Sequence, residues 1–233
     1  MLVLSTIITY MEKLVRGVLF DLDGTLVDTI PDIATAINSA LAEENLAPLE
    51  VGQVQAVVGR GLRNALKGAL AFRGREVSDG RLDELLEKLM ETYEAHPADH
   101  SVPYDGIEDF LIRLADDGIA IGVLSNKADS LIQVIVRQLF PEVPFSMIEG
   151  MRSDTPRKPD PQGIHGFSRK TGVPVSRILY VGDSEVDWQT ACNVPEVQVA
   201  IVTWGFRSKE SLVASGVSAP LDTIGELEEK VWR

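Results

Sequence analysis

The 233-residue chain is poor in the residues that most readily announce a site. Its single cysteine, Cys192, excludes an internal disulfide, and no Cys/His spacing of a metal centre occurs. By residue type, Cys192 is expected to be a small buried hydrophobe. The three histidines, His96, His100 and His165, are scattered, and we read them as structural or surface residues. Positive charge is scarce too: 22 Lys and Arg against 35 Asp and Glu give a formal charge of −13, which argues against a nucleic-acid surface. An anionic ligand would need its positive charge concentrated locally. No apolar run reaches the ~20 residues of a membrane span. The apolar start MLVLSTIITY is too short for one and lacks the basic region and small-residue cleavage site of a signal peptide. With Met11 just behind it, that start is either an upstream initiation or an extra element. The expected compartment is the cytoplasm.

What is present concentrates in one stretch, Val18-Leu19-Phe20-Asp21-Leu22-Asp23-Gly24-Thr25-Leu26. Three apolar residues run into two carboxylates at i and i+2, then Gly-Thr. This reads as a buried strand ending near Phe20 or Asp21. Ligands of open parallel sheets bind beyond the carboxyl ends of the strands, so Asp21 and Asp23 stand where chemistry is expected. Their mutual repulsion calls for a cation or a shared proton. A hairpin at Asp-Gly lacks a matching partner run. A calcium loop counted from Asp21 would need Gly and Glu where Leu26 and Asp32 stand.

Beyond the motif the pattern is helical from Thr29 or Pro31 to Glu44, then over Val51–Val58, Leu62–Phe72 and Leu82–Tyr93, with no convincing strand between. Pro103-Tyr104-Asp105-Gly106 closes this insertion. From Ile107 helices and strands alternate: a helix to Asp116 stopped by Gly118, a strand over Ile119–Leu124, and a helix from about Ala128 to Leu139. Phe145–Ile148 reads as a short strand, and the Pro loop 156–161 leads to a helix ending near Thr171-Gly172. A strand over Ile178–Val181, a helix over Glu185–Cys192, a strand over Val197–Ile201 and a closing helix over Ile224–Val231, capped by Asp222 or Thr223, complete the chain. The expected fold is α/β: a Rossmann-like, doubly wound parallel sheet from residues 1–29 and 103–233, with an α-helical cap inserted over 30–102.

Each strand ends in a polar cluster: Asp21/Asp23, Ser125/Asn126, and Asp183/Asp187, with Lys158 delivered by the Pro loop. Asp183 and Asp187 are i,i+4 and share a face if the helix starts at Ser184. Each residue has an ordinary alternative: Asp183 or Ser125 as a helix cap, Lys158 as a solvated loop charge. Together they suit phosphoryl transfer. A carboxylate can act as nucleophile, and a hard cation such as Mg²⁺ suits the remaining carboxylates. The Ser125 hydroxyl, the N–H groups of the Gly24-Thr25 loop, Asn126 and the Lys158 ammonium can hold phosphoryl oxygens. A second carboxylate can protonate the leaving alcohol and later activate water. Trp188, Trp204 and Phe206 are read as packing residues.

Asp21-Leu22-Asp23-Gly24-Thr25-Leu26, Ser125, Lys158-Pro159-Asp160-Pro161 and Gly182-Asp183-Ser184-Glu185-Val186-Asp187 resemble the four ordered motifs of the haloacid dehalogenase superfamily. The resemblance implies Asp21 as nucleophile, Asp23 as general acid/base, and Ser125 and Lys158 as phosphate-binding residues. It further implies Asp183 as a metal ligand beside Asp21 and the Asp23 carbonyl, with Asp187 in the second acidic position, near the metal. The dehalogenases that name the superfamily lack the second Asp, so Asp23 favours phosphoryl transfer over C–halogen cleavage.

Val58-Gly59-Arg60-Gly61, Glu91–His96, Pro103-Tyr104-Asp105-Gly106, Ser125-Asn126-Lys127 and Thr203-Trp204-Gly205 are similar to segments of phosphoglycolate phosphatases. Arg60 is a candidate for the substrate carboxylate, which a guanidinium fork matches. The resemblance therefore implies a Mg²⁺-dependent phosphatase, monomer or homodimer, acting on a small phosphorylated metabolite and foremost on 2-phosphoglycolate. Other readings are a phosphatase for a different ester or pyrophosphate, a phosphosugar mutase of β-phosphoglucomutase type, and an inactive phosphometabolite-binding protein.

Overall fold

A computed structural model describes residues 15–233 other than 60; Met1–Tyr10 and Arg60, both singled out above, lie outside the described residues. The centre is a parallel sheet in the order β5-β4-β1-β6-β7. Its strands are β1 (Gly17–Phe20), β4 (Ala120–Ala128), β5 (Met147–Met151), β6 (Ile178–Gly182) and β7 (Gln198–Ile201). Their apolar runs are unbroken because both faces are covered. Successive residues serve opposite faces. Val18 and Phe20 of β1, with Leu179 and Val181 of β6, join one buried cluster; Leu19, Ile178 and Tyr180 join the other.

The first cluster is covered by α5 (Ile107–Asp116), α6 (Asp129–Leu139) and α10 (Ile224–Trp232), with Phe110 edge-on to Phe20 at 6.1 Å between ring centroids. The second is covered by α7 (Gln162–Thr171), through Ile164 and Phe167, and by α8 (Glu185–Cys192), through Ala191. A short α9 (Lys209–Ala214), capped by Ser208, follows β7 and was not expected from the sequence.

Between β2 (Val27–Asp28) and β3 (Val102–Pro103), which pair antiparallel, lie four helices: α1 (Ile30–Glu43), α2 (Val51–Val57), α3 (Leu62–Phe72) and α4 (Asp79–Ala95). The buried carboxylate of Asp32 accepts from the His100 N–H at 3.1 Å, the Ser101 N–H at 2.7 Å and the Ser101 hydroxyl at 2.6 Å. The outgoing and returning chains are thereby tied at the root of the insertion. Apolar residues of α1 and α4, among them Ile33, Ile37, Leu89 and Tyr93, continue the first cluster.

Several expectations need correction. Strand β4 does not stop at Leu124 but runs to Ala128, with a register shift against β5 between those two residues. Strand β5 starts at Met147 and runs to Met151, beyond the expected end at Ile148. Cys192 is exposed, because Ala191 and Val194 take the inward positions at this end of α8. Asp183 stands outside α8, whose N-cap is Ser184, so a shared helical face does not bring Asp183 and Asp187 together.

Candidate active site

Because the strands are parallel, the residues following β1 and β6 and those ending β4 emerge at one edge of the sheet. Asp21 follows β1 directly, and its N–H donates to the Val181 carbonyl of β6 at 2.8 Å. Asp183 follows β6, and the Asp187 side chain is turned back by a capping box with Ser184. One carboxylate oxygen from each of Asp21, Asp183 and Asp187 lies within 4.8 Å of the others, and all three residues are buried. Close backbone approach permits this. Gly24 has φ +83°, and a Cβ there would fall 2.3 Å from Asp183 Oδ2; one on Gly205 would fall 2.2 Å from the Gly24 carbonyl oxygen. The Phe206 N–H donates to Asp183 Oδ2 at 2.7 Å, and the Thr25 hydroxyl lies 3.5 Å from its Oδ1.

Lys158 enters from the loop before α7. Its ammonium contacts Asp21 Oδ1 and Asp187 Oδ1, each at 2.8 Å. Asn126 fixes the lysine backbone: its Oδ1 accepts the Lys158 N–H at 2.8 Å and its Nδ2 donates to the Lys158 carbonyl at 3.1 Å. The Asn126 side chain is thus committed to the Pro loop. Asp187 is saturated by protein donors: Lys158 Nζ and the Tyr180 hydroxyl reach Oδ1 at 2.8 Å, and the Ser184 hydroxyl and N–H reach Oδ2 at 2.5 and 3.2 Å.

These surroundings separate the three acids. Burial pushes Asp21 up to about 7, against the pull of Lys158 and with the push of Asp187 and Asp23. Burial and the neighbouring carboxylates hold Asp183 well above the usual range. Burial also opposes the charge on Asp187, but Lys158 and the hydroxyl donors outweigh it and hold that carboxyl low. For Lys158 the desolvation penalty is overcome by Asp187 and Asp21, so it stays charged. One ammonium against three buried carboxylates leaves negative charge unbalanced. Asp21 and Asp183 retain oxygens without full complements of donors, so the set fits a hard divalent cation.

The cleft over this edge encloses about 610 Å³ free of protein atoms, part of it open to solvent. Asp21, Asp23, Ser125, Asn126, Lys158 and Asp183 form its floor; Ile33, Val58, Gly59, Gly61, Leu62 and Ala65 of the insertion face them. The glycines flanking Arg60 therefore line the cleft. Gly24 and Thr25 lie beneath Asp183.

Tyr180 and Arg207 were not expected here, and Lys127 was named only within the Ser125-Asn126-Lys127 segment, without a role. Lys127 Nζ donates to Asp23 Oδ1 at 2.6 Å. Its signal was its i,i+2 spacing from Ser125, visible only if the strand is taken past Leu124. Tyr180 carried the weaker signal of a strand tyrosine whose hydroxyl needs a partner. Arg207 had none; it pairs with Glu185 at 3.1 Å and donates to the Val58 carbonyl at 2.8 Å, linking the loop after β7 to the insertion.

Fold and site together define a three-layer α/β protein with a buried acid–lysine centre at the carboxyl edge of its sheet. The chain belongs to the haloacid dehalogenase-like hydrolases, whose family profile matches residues 18–202. A phosphoglycolate phosphatase of Cereibacter sphaeroides is 38% identical over 191 residues, covering 82% of this chain and 86% of that one. A phosphoglycolate phosphatase of Xanthomonas campestris pv. campestris (strain 8004) is 31% identical over 217 residues, covering 93% and 95%. A crystal structure from Lactobacillus delbrueckii subsp. bulgaricus, provisionally assigned as a phosphoglycolate phosphatase, matches with a TM-score of 0.86 at 31% identity, covering 93% of this chain and 98% of that one. Among the described residues, no helix is long and apolar enough to cross a membrane.

Proposed function

We propose that this chain hydrolyses a small phosphate monoester, 2-phosphoglycolate first among candidates, through a phosphorylated Asp21 and with Mg²⁺ as its cofactor. The class, a phosphoric monoester hydrolase, follows from the family and the named relatives together. The observation that carries the reading is the lysine bridge: one buried ammonium 2.8 Å from both Asp21 and Asp187, at the floor of a small cleft.

Asp21 attacks phosphorus, forming an acyl phosphate as the P–O bond to the alcohol breaks. Asp23 gives its proton to the departing oxygen, then takes one from the water that hydrolyses the acyl phosphate and regenerates Asp21. Lys158 and the Ser125 hydroxyl neutralise the equatorial oxygens. Asp21, Asp183 and the Asp23 backbone carbonyl would hold Mg²⁺. Bound there, the ion supplies the charge that offsets repulsion between these carboxylates and an anionic substrate. Asp187, with four protein donors, aims Lys158 rather than binding the ion. The inserted helices act as a cap over 30–102, excluding water during transfer. Within that cap Arg60 pairs with the substrate carboxylate. A cytoplasmic place of action suits a chain whose one cysteine is a free thiol.

The test ranks small phosphate esters by kcat/KM with and without Mg²⁺, in wild type and Arg60→Ala. We expect 2-phosphoglycolate to lead. Arg60→Ala should raise its KM about tenfold while sparing esters without a carboxylate. An isomerised sugar phosphate in place of inorganic phosphate would replace this reading with a mutase.

A further inference from the structure

Asp23 is held at one oxygen only. Its Oδ1 accepts from the Lys127 ammonium at 2.6 Å and from the Thr29 hydroxyl at 2.5 Å, while among the described residues nothing donates to Oδ2. Lys127 is buried, and Asp23 is the carboxylate it pairs with. Desolvation opposes its charge, but Asp23 first and then Tyr93 outweigh that, and the lysine stays charged. The same ammonium lies 4.7 Å from the centroid of the Tyr93 ring, a cation–π contact sheltered from water. Tyr93 belongs to α4, the last helix of the insertion, whereas Lys127 belongs to β4 of the sheet. Two bodies of the protein thus meet on one carboxylate.

We propose that Lys127 is a positioning residue for Asp23: with Thr29 it pins Oδ1, leaves Oδ2 without a protein donor and available to substrate, and ties that arrangement to the seat of α4 through the Tyr93 ring. The inference rests on the reading of Asp23 as acid and base given above. Oδ2–H donates to the alkoxide as its bond to phosphorus breaks. Oδ2 then accepts the proton of the attacking water as orthophosphate forms and the Asp21 carboxylate returns. A carboxylate free to rotate would lose this geometry, and displacements near 1 Å cost about a hundredfold in such steps.

The experiment compares wild type with Lys127→Met, Lys127→Arg and Tyr93→Leu on 2-phosphoglycolate and on 4-nitrophenyl phosphate, whose leaving group departs without protonation. For Lys127→Met we expect kcat on 2-phosphoglycolate to fall about tenfold to a hundredfold with KM within about threefold, the signature of a transition-state defect. On 4-nitrophenyl phosphate the same variant should give a burst of nitrophenol close to one per enzyme, since formation of the acyl phosphate is spared and its hydrolysis is slowed. Lys127→Arg should recover part of kcat. Tyr93→Leu, which keeps both donors to Asp23, should show a smaller fall of the same kind, and it carries the test if Lys127→Met fails to fold. Wild-type kcat in Lys127→Met, or a loss confined to KM, overturns the inference, and unaltered kinetics in Tyr93→Leu overturns its link to α4. A wild-type protein that releases no phosphate from any ester would instead overturn the proposed function itself.

Discussion

Three aspartates within reach of one another behave as three different groups because their donors differ. Asp187 has four donors and is held low, whereas Asp21 and Asp183 are pushed up by burial that their donors do not offset. The pH consequence follows from the sign of that shift. Asp21 ionises near 3.8 when unfolded and about 7 when folded without metal, so its contribution to stability is present below pH 3.8 and is lost as pH rises toward 7. Thermal melts of the metal-free protein should therefore show Tm falling between about pH 4 and pH 7, less steeply in Asp21→Asn. Mg²⁺ should raise Tm more at pH 8 than at pH 6, because protons compete for the same oxygens. A Mg²⁺ effect independent of pH would contradict the assignment. At this scale the sequence foretold which acids gather at the edge, because a carboxylate after an apolar strand has few other reasons to be there. It misplaced Cys192, where helical phase overrode residue-type preference, and it gave Lys127 no role, because its strand was taken to stop too early.

Elements were legible where their own periodicity sufficed. The unbroken run of β1 and the 3.6-residue spacing of α1 announce themselves. Pairing of β2 with β3 does not, since each is two residues long and its partner lies beyond the whole insertion. The six-residue α9 is too short to show a period, and only Ser208 as N-cap hinted at it. The second face of the sheet depends on α7, and within it on Phe167, fully buried with its ring against Gly17 of β1 and Gly122 of β4. Phe167→Ala should cost about 3–5 kcal/mol and lower Tm by roughly 6–20 °C. A loss under ~1 kcal/mol would mean that this face repacks, contrary to the behaviour of a close-packed interior.

For the whole molecule, the strand order places β1 between β4 and β6, so the chain winds outward in both directions from the strand bearing Asp21. That reversal opens the crevice in which open α/β sheets bind ligands. Alternation of strands and helices was readable, as was a helical stretch after the first motif. The depth to which that stretch shares the apolar cluster of the sheet was not, because it depends on contacts between residues far apart in the chain. The junction is held by Asp32, and Asp32→Ala, which leaves the His100 and Ser101 donors unpaired, should cost about 1–3 kcal/mol by denaturant unfolding.

The most direct measurement is mass spectrometry of peptides from protein acid-quenched during turnover of 2-phosphoglycolate with Mg²⁺. A phosphoryl group should be found on Asp21 of the Val18–Leu26 segment, and it should be missing from Asp21→Asn, which should retain less than about one per cent of wild-type kcat. Steady turnover with no adduct on Asp21, or an adduct on another side chain, would contradict the account at its centre.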